Sequence, residues 1–369
     1  MNRLFRWDQM GLFLLALAAG ILPFAVPEVC AAALREGLTL CSGSLLLSLF
    51  PFLVVSRLLI QCPESDLLAL PFRLAAWGIG IRTPCAARVL CIGFLGGFAP
   101  AASAAAQAVR TGQLTAEEAD ALLPACICSG PSFVVLTVGQ SLLGSAELGV
   151  LLFASQITAN YLTAALLNRF AGVRSVKPGS AAPASPAPPR LDEILADAAI
   201  TYCKLCGFIL FFRMLAAGAG ALLPAGAGTL CAILLEVCSG CDLASRTGRW
   251  GSLLCCAALS VQGLSVLLQV RTICPSEMTL RPLYRSRLLH LPLSLALFYL
   301  LLPGGEADVF SNLPARVLLM RRVPPDCALL VFAVCCMAAC TLRSGIRQVE
   351  QKQMARNAGG CCINSKTLL

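Results

Sequence analysis

The sequence predicts an all-α polytopic membrane protein with about eight transmembrane helices, two re-entrant or broken helical segments, and two halves that read as related. Three observations predict it. Of 369 residues, 58% are hydrophobic and only 13% charged, with a mean hydropathy of +0.80. A disordered chain is poor in apolar residues, and a water-facing surface needs more charge than this. Several apolar runs approach or exceed the roughly 20 residues that cross a bilayer core as helix. The net charge of +9 comes from 28 basic and 19 acidic residues, and the basic ones gather between the runs, as in cytoplasmic loops. The lipid bilayer is therefore the first partner. No basic, aromatic-interleaved segment stands out, so nucleic acid is not expected as a partner.

Each element follows from the pattern in turn. Arg3 and Arg6 precede an apolar run at 10–26. This start has the form of a signal peptide, but the many later spans favour an uncleaved first helix. A second run covers 38–60, interrupted by Pro51 and containing Arg57; 61–88 is mixed and reads as cytoplasmic or interfacial. Residues 89–109 are apolar but dense in glycine and alanine. Thr115 stands three residues before Glu118, the spacing of a capping box. The run 121–143 is broken by Cys128-Ser-Gly-Pro131, and 147–167 forms another span. Residues 172–190 hold five prolines among alanine and serine and predict a cytoplasmic linker between a membrane half at 1–171 and a second at 191–342. In that second half, runs at 194–223, 226–241, 253–273, 288–302 and 327–342 follow, before a basic cytoplasmic tail at 343–369.

Charge placement then sorts spans from hairpins. With both termini cytoplasmic, the number of crossings is even. Reading 89–109 and 253–273 as re-entrant hairpins leaves about eight spans and puts nearly every arginine cluster inside, including Arg281, Arg285 and Arg287. Glycine-rich backbone is what a membrane tolerates where lipid is not touched. The halves also echo one another: residues 51–59 and 207–215 place Arg57 and Arg213 alike, and Cys-Ser-Gly recurs at 128–130 and 238–240. The two offsets differ, so duplication is suggested rather than established.

The residues that could carry chemistry are the few polar exceptions. Around Ser129, Gly130, Pro131 and Ser132, proline and glycine together would split a helix. The half-helix beginning there would aim free N–H groups and a positive dipole end at the midplane, suiting a carboxylate. The alternative is a kinked helix whose serines bond back to their own backbone. Glu236 is the acid in the middle of its apolar run. It predicts a coupling or substrate contact, or a structural ion pair with Arg57 or Arg213, two arginines that are themselves candidates for binding an anion. Gln262, Gly263, Ser265 and Gln269 offer either a substrate-bonding face or interhelical glue. Gly96 and Gly97 mark the earlier flexible stretch. Of 21 cysteines, most lie in apolar runs as packing residues, and the CxxC pairs Cys203/Cys206 and Cys238/Cys241 lack nearby histidines, so neither metal nor cofactor is expected. No nucleophile motif, phosphate loop or paired carboxylates support an enzyme.

In order, Ile92–Pro100 (IGFLGGFAP), Leu114–Leu123 (LTAEEADALL), Cys128–Phe133 (CSGPSF), Gly144-Ser145, Leu235–Gly240 (LEVCSG) and Gln262–Gln269 (QGLSVLLQ) resemble the YlbJ/SpoVV family of sporulation integral membrane proteins with nucleoside-recognition (Gate) domains. The likeness spans residues 50–302. Two places depart from the family pattern: Cys126 and Cys128 stand where asparagines are usual, and Gly96-Gly97-Phe98-Ala99-Pro100 stands for a Ser-Gly-Tyr-Pro hairpin. The resemblance implies a transporter in the membranes of endospore-forming bacteria that moves dipicolinate, a small planar dicarboxylate, from mother cell across the outer forespore membrane, with a coupling ion or proton as further partner. The alternatives are a nucleoside or nucleobase carrier, and a non-transporting scaffold required for sporulation.

Overall fold

The computed structural model describes residues 7–61, 65–171 and 190–302. The expected linker, the run at 327–342 and the basic tail lie outside them. Within the described residues the chain is helical, without strands: α1 Trp7–Ala25, α2 Pro27–Ser42, α3 Ser44–Gln61, α4 Ser65–Leu68, α5 Leu70–Gly78, α6 Pro84–Gly96, α7 Phe98–Arg110, α8 Ala116–Cys126, a π-helix at Ser132–Leu142, α9 Ala146–Ala171, α10 Leu191–Leu222, α11 Ala225–Leu235, α12 Val237–Ser245, α13 Gly251–Val261, α14 Gly263–Ile273 and α15 Arg281–Leu301. Four segments are long and apolar enough to cross a membrane: Pro27–Leu47, Ala146–Ala171, Leu191–Leu222 and Gly248–Ile273. Large apolar side chains face outward along many helices, among them Phe24, Leu47, Leu74, Phe170, Leu234, Leu288 and Leu300. Such an exterior is tolerated where the solvent is lipid.

One motif occurs twice. In the first half, α6 and α7 fold back on each other as a hairpin with Gly97 at the tip, α8 and the π-helix follow as one interrupted helix, and α9 closes the unit. After α10 the same order returns: α11 packs along α12 in a hairpin with Glu236 at the tip, α13 and α14 form an interrupted helix, and α15 closes. This corrects the expected placement of the second hairpin. Residues 253–273 lie in a segment long and apolar enough to cross a membrane, interrupted at Gln262, and the apolar run 226–241 is the hairpin. The physical reason is in the arms: a Cβ on Gly240 would lie 2.8 Å from Ile233 Cα, and one on Gly228 would lie 3.0 Å from Gly220 Cα. Bare glycine lets α11 lie against both α12 and α10.

Small residues set the packing elsewhere. Along α7, Ala99, Ala101, Ala102, Ala104, Ala105 and Ala108 are wholly buried, and this smooth face lies against α3, α6, α8 and α14. Close backbone approach replaces hydrophobic driving force where the surroundings are already apolar. Gly139 of the π-helix meets Gly149 of α9, where a Cβ would come within 2.5 Å of Cα. The expected capping box forms: the Glu118 amide donates to Thr115 Oγ1 at 3.1 Å, and the Thr115 amide to Glu118 Oε2 at 3.2 Å. The expected run at 38–60 is divided instead, with α2 ending and α3 beginning at Gly43. All fourteen described cysteines are free thiols and most are buried.

A convergence of four helix breaks

Each motif contributes two interruptions, and the four interruptions meet. At the first hairpin tip, Gly97 has φ +81° and ψ −163°, a backbone state open to glycine alone. A Cβ there would lie 2.6 Å from the Gly130 amide nitrogen and 3.2 Å from the Cys128 carbonyl oxygen. The tip therefore rests directly on the break of the first interrupted helix. In the second motif, Gly263 has φ +71°, and a Cβ on it would lie 2.9 Å from the Glu236 nitrogen and 3.0 Å from the Leu235 carbonyl. That break rests on the second hairpin tip in the same way. Gln262 ties the two pairs together, its Nε2 donating to Ser129 Oγ at 3.4 Å and to the Leu259 carbonyl at 2.8 Å.

Gln262 is itself strained. It is left-handed, at φ +67°, a conformation that non-glycine residues adopt at a penalty of about 1 kcal/mol. Its Oε1 is buried and has no partner, so a proton donor is the natural complement at this point. Replacing Gln262 with glycine is expected to leave thermal stability equal or slightly raised, because strain is relieved. Thermal unfolding of the variant beside the wild type checks this.

Glu236 caps α12. Its carboxylate accepts from the Cys238 amide at 2.8 Å and the Ser239 amide at 2.7 Å, and only 2% of the residue is exposed. The cap fixes the hairpin tip by satisfying two otherwise orphaned N–H groups. The expected ion pair with Arg57 or Arg213 does not form. Arg57 pairs with Asp197 at 2.7 Å and Arg213 with Glu36 at 2.8 Å. Both arginines are thus matched by acids on neighbouring helices rather than by Glu236.

The remaining expected residues divide. Gly96 sits beside the tip, 3.4 Å from a Cβ built on Gly130. Ser129 is buried and accepts from Gln262 rather than bonding back to its own backbone. Pro131 precedes the π-helix, and Ser132, its first residue, is exposed. The expected α-helical N-terminus at Pro131 is thus a π-helical one. On α14, Ser265 and Gln269 are buried and bonded to each other at 3.0 Å, with Gln269 Oε1 unpartnered.

Sequence reasoning missed Arg287. It was grouped with Arg281 and Arg285 as a cytoplasmic loop cation. The structure instead puts all three on α15, where Arg281 and Arg285 are exposed and Arg287 is buried. The signal was helical period, since Leu283, Arg287, His290 and Ser294 fall on one face. Arg287 reaches the Asn160 Oδ1 at 3.3 Å and the Ser260 carbonyl at 3.4 Å.

Two hairpins and two interrupted helices meet through their breaks, and the buried side-chain amide of Gln262 lies among them with its Oε1 unpartnered. No protein-family model matches the chain, and no match is found among curated proteins or solved structures.

Proposed function

We propose that the protein is a membrane transporter for a small anionic solute, held where Gly97, Ser129-Gly130, Glu236 and Gln262-Gly263 converge. The observation that carries this reading is the contact of each hairpin tip with the helix break of its own motif, the two pairs tied by the hydrogen bond from Gln262 to Ser129. Irregular backbone at membrane depth requires either burial in protein or a polar cavity. A scaffold has no need of four such interruptions at one point. Dipicolinate is the solute that the sequence likeness suggests, and a nucleoside is the rival.

For topology we propose eight crossings, the helices at 251–273 taking the place first given to 226–241. The hairpin at 84–110 then enters from the cytoplasm and that at 225–245 from the opposite side. Both termini, the 172–190 linker and the loop 275–280 are cytoplasmic, which keeps most arginines inside. A cysteine placed at Thr247 is expected to react with impermeant maleimide added outside intact cells, and one at Glu277 is not. The reverse pattern would refute this topology.

Uptake by vesicles containing the purified protein tests the function. Labelled dipicolinate is expected to accumulate and labelled uridine is not. Uridine uptake without dipicolinate uptake selects the nucleoside reading, and uptake of neither selects the scaffold.

A further inference from the structure

Arg287 is a buried cation without a counter-ion among the described residues. Among the described residues no carboxylate lies within ion-pair distance of it, whereas Arg57, Arg88, Arg190, Arg213 and Arg246 each have one. A guanidinium carries five N–H donors and stays protonated at neutral pH. Those of Arg287 find neutral acceptors only, at long distances: Ser286 Oγ at 3.3 Å, Asn160 Oδ1 at 3.3 Å and the Ser260 carbonyl at 3.4 Å. Three long bonds to neutral groups do not compensate a charge removed from water.

The neighbourhood is short of acceptors in the same way. Asn160 is wholly buried, and its Nδ2 has no partner. Thr163, one turn further along the same face of α9, is 1% exposed with an unpartnered hydroxyl. Gln156 on that face is spent: its Nε2 donates to Ser260 Oγ at 2.9 Å, and its carbonyl is 3.2 Å from His290 Nε2. The free capacity is a guanidinium, an amide N–H and a hydroxyl. It is linked to the convergence of breaks through Ser260, whose carbonyl accepts from Arg287 and which stands two residues before Gln262.

We infer that Arg287 and Asn160 form the carboxylate-binding subsite of this protein, with a small carboxylate as the missing counter-ion. The inference rests on the anion-transport reading and deepens it by naming the group that selects for charge. Arg287 provides the planar fork that a carboxylate accepts from in pairs. Asn160 holds the guanidinium from one side and offers its amide to the same anion.

The test uses the full chain purified in detergent, with calorimetric titration of dipicolinate and of its neutral diamide. The wild type is expected to prefer the dianion. Arg287→Gln is expected to weaken dianion binding at least about 30-fold, as removal of one partner of a desolvated charge pair does, while diamide binding is unchanged. Arg287→Lys should recover part of the loss, since it restores charge without the fork. Asn160→Asp supplies an internal carboxylate 3.3 Å from Arg287. It is expected to keep or raise thermal stability and still abolish the dianion preference, which guards against a variant that merely unfolds. Dianion binding at wild-type strength in both Arg287→Gln and Asn160→Asp would overturn the subsite, as would a wild type that binds no carboxylate. Vesicle flux separates the two levels. Undiminished dipicolinate flux in both variants refutes the subsite and leaves transport standing. Arg287-dependent binding with no flux of any solute refutes transport and leaves the subsite standing.

Discussion

Gly97→Ala is expected to abolish solute flux and to destabilise the fold by about 2–4 kcal/mol, combining a glycine-only backbone state with overpacking against main chain. Two separate effects add at this position. The backbone, at φ +81° and ψ −163°, excludes any side chain. The added methyl would also stand 2.6 Å from the Gly130 nitrogen and 3.0 Å from its Cα, and main-chain atoms cannot rotate away as a side chain would. The hairpin tip must then lift from the helix break it rests on. Gly80→Ala separates the effects, because Gly80 has φ +88° but nothing within 4 Å of a built Cβ. That variant carries only the conformational penalty, about 1 kcal/mol, and is expected to transport normally. Thermal unfolding and vesicle uptake on the two proteins check this; equal behaviour of both would show that the tip-to-break contact is not what matters.

Much of this architecture is written in local pattern. The long apolar runs became α9 and α10, Thr115 and Glu118 made their capping box, and the Ser-Gly-Pro triplet interrupted its helix at the expected place. These succeed because capping, period and helix breaking depend on residues within a few positions of one another. The hairpins were legible only in part. Gly97 and Gln262-Gly263 both read as interruptions, but local sequence does not say whether the following arm continues or folds back. That depends on what the arm packs against, and the contact of Gly240 with Ile233 is a fact of tertiary structure. Its trace in the sequence was a glycine in α12. The arginines failed for a related reason. Asp197 and Glu36 stand 140 and 177 residues from the cations they neutralise, so Arg57 and Arg213 looked free when they were not. Along the chain Arg287 reads as one of three neighbouring loop charges, and only the helical period of α15 separates it from the exposed Arg281 and Arg285. Sequence shows where polar groups are unusual in a bilayer; only packing shows which of them remain unmatched.

Glu236→Ala is the second large effect, and it distinguishes two jobs for an intramembrane acid. Both carboxylate oxygens are engaged by amides, at 2.8 Å from Cys238 and 2.7 Å from Ser239. An acid so employed holds a backbone in place before it does anything else. Alanine strands two N–H groups in a site where the wild-type residue is 2% exposed, and buried unsatisfied donors of this kind cost about 1–3 kcal/mol each. The expected result is a loss of about 2–6 kcal/mol in stability, with the tip displaced from Gly263 and flux abolished. Glu236→Asp keeps an acceptor with strong N-cap preference and is expected to retain most of the stability. Glu236→Gln keeps an acceptor oxygen but removes the charge. If it folds as well as wild type and still transports, the carboxylate is a cap and the selection for an anion rests on Arg287. If it folds but does not transport, the charge itself takes part in coupling. Alanine at wild-type stability would remove the capping role, since no other group on this tip accepts from both amides.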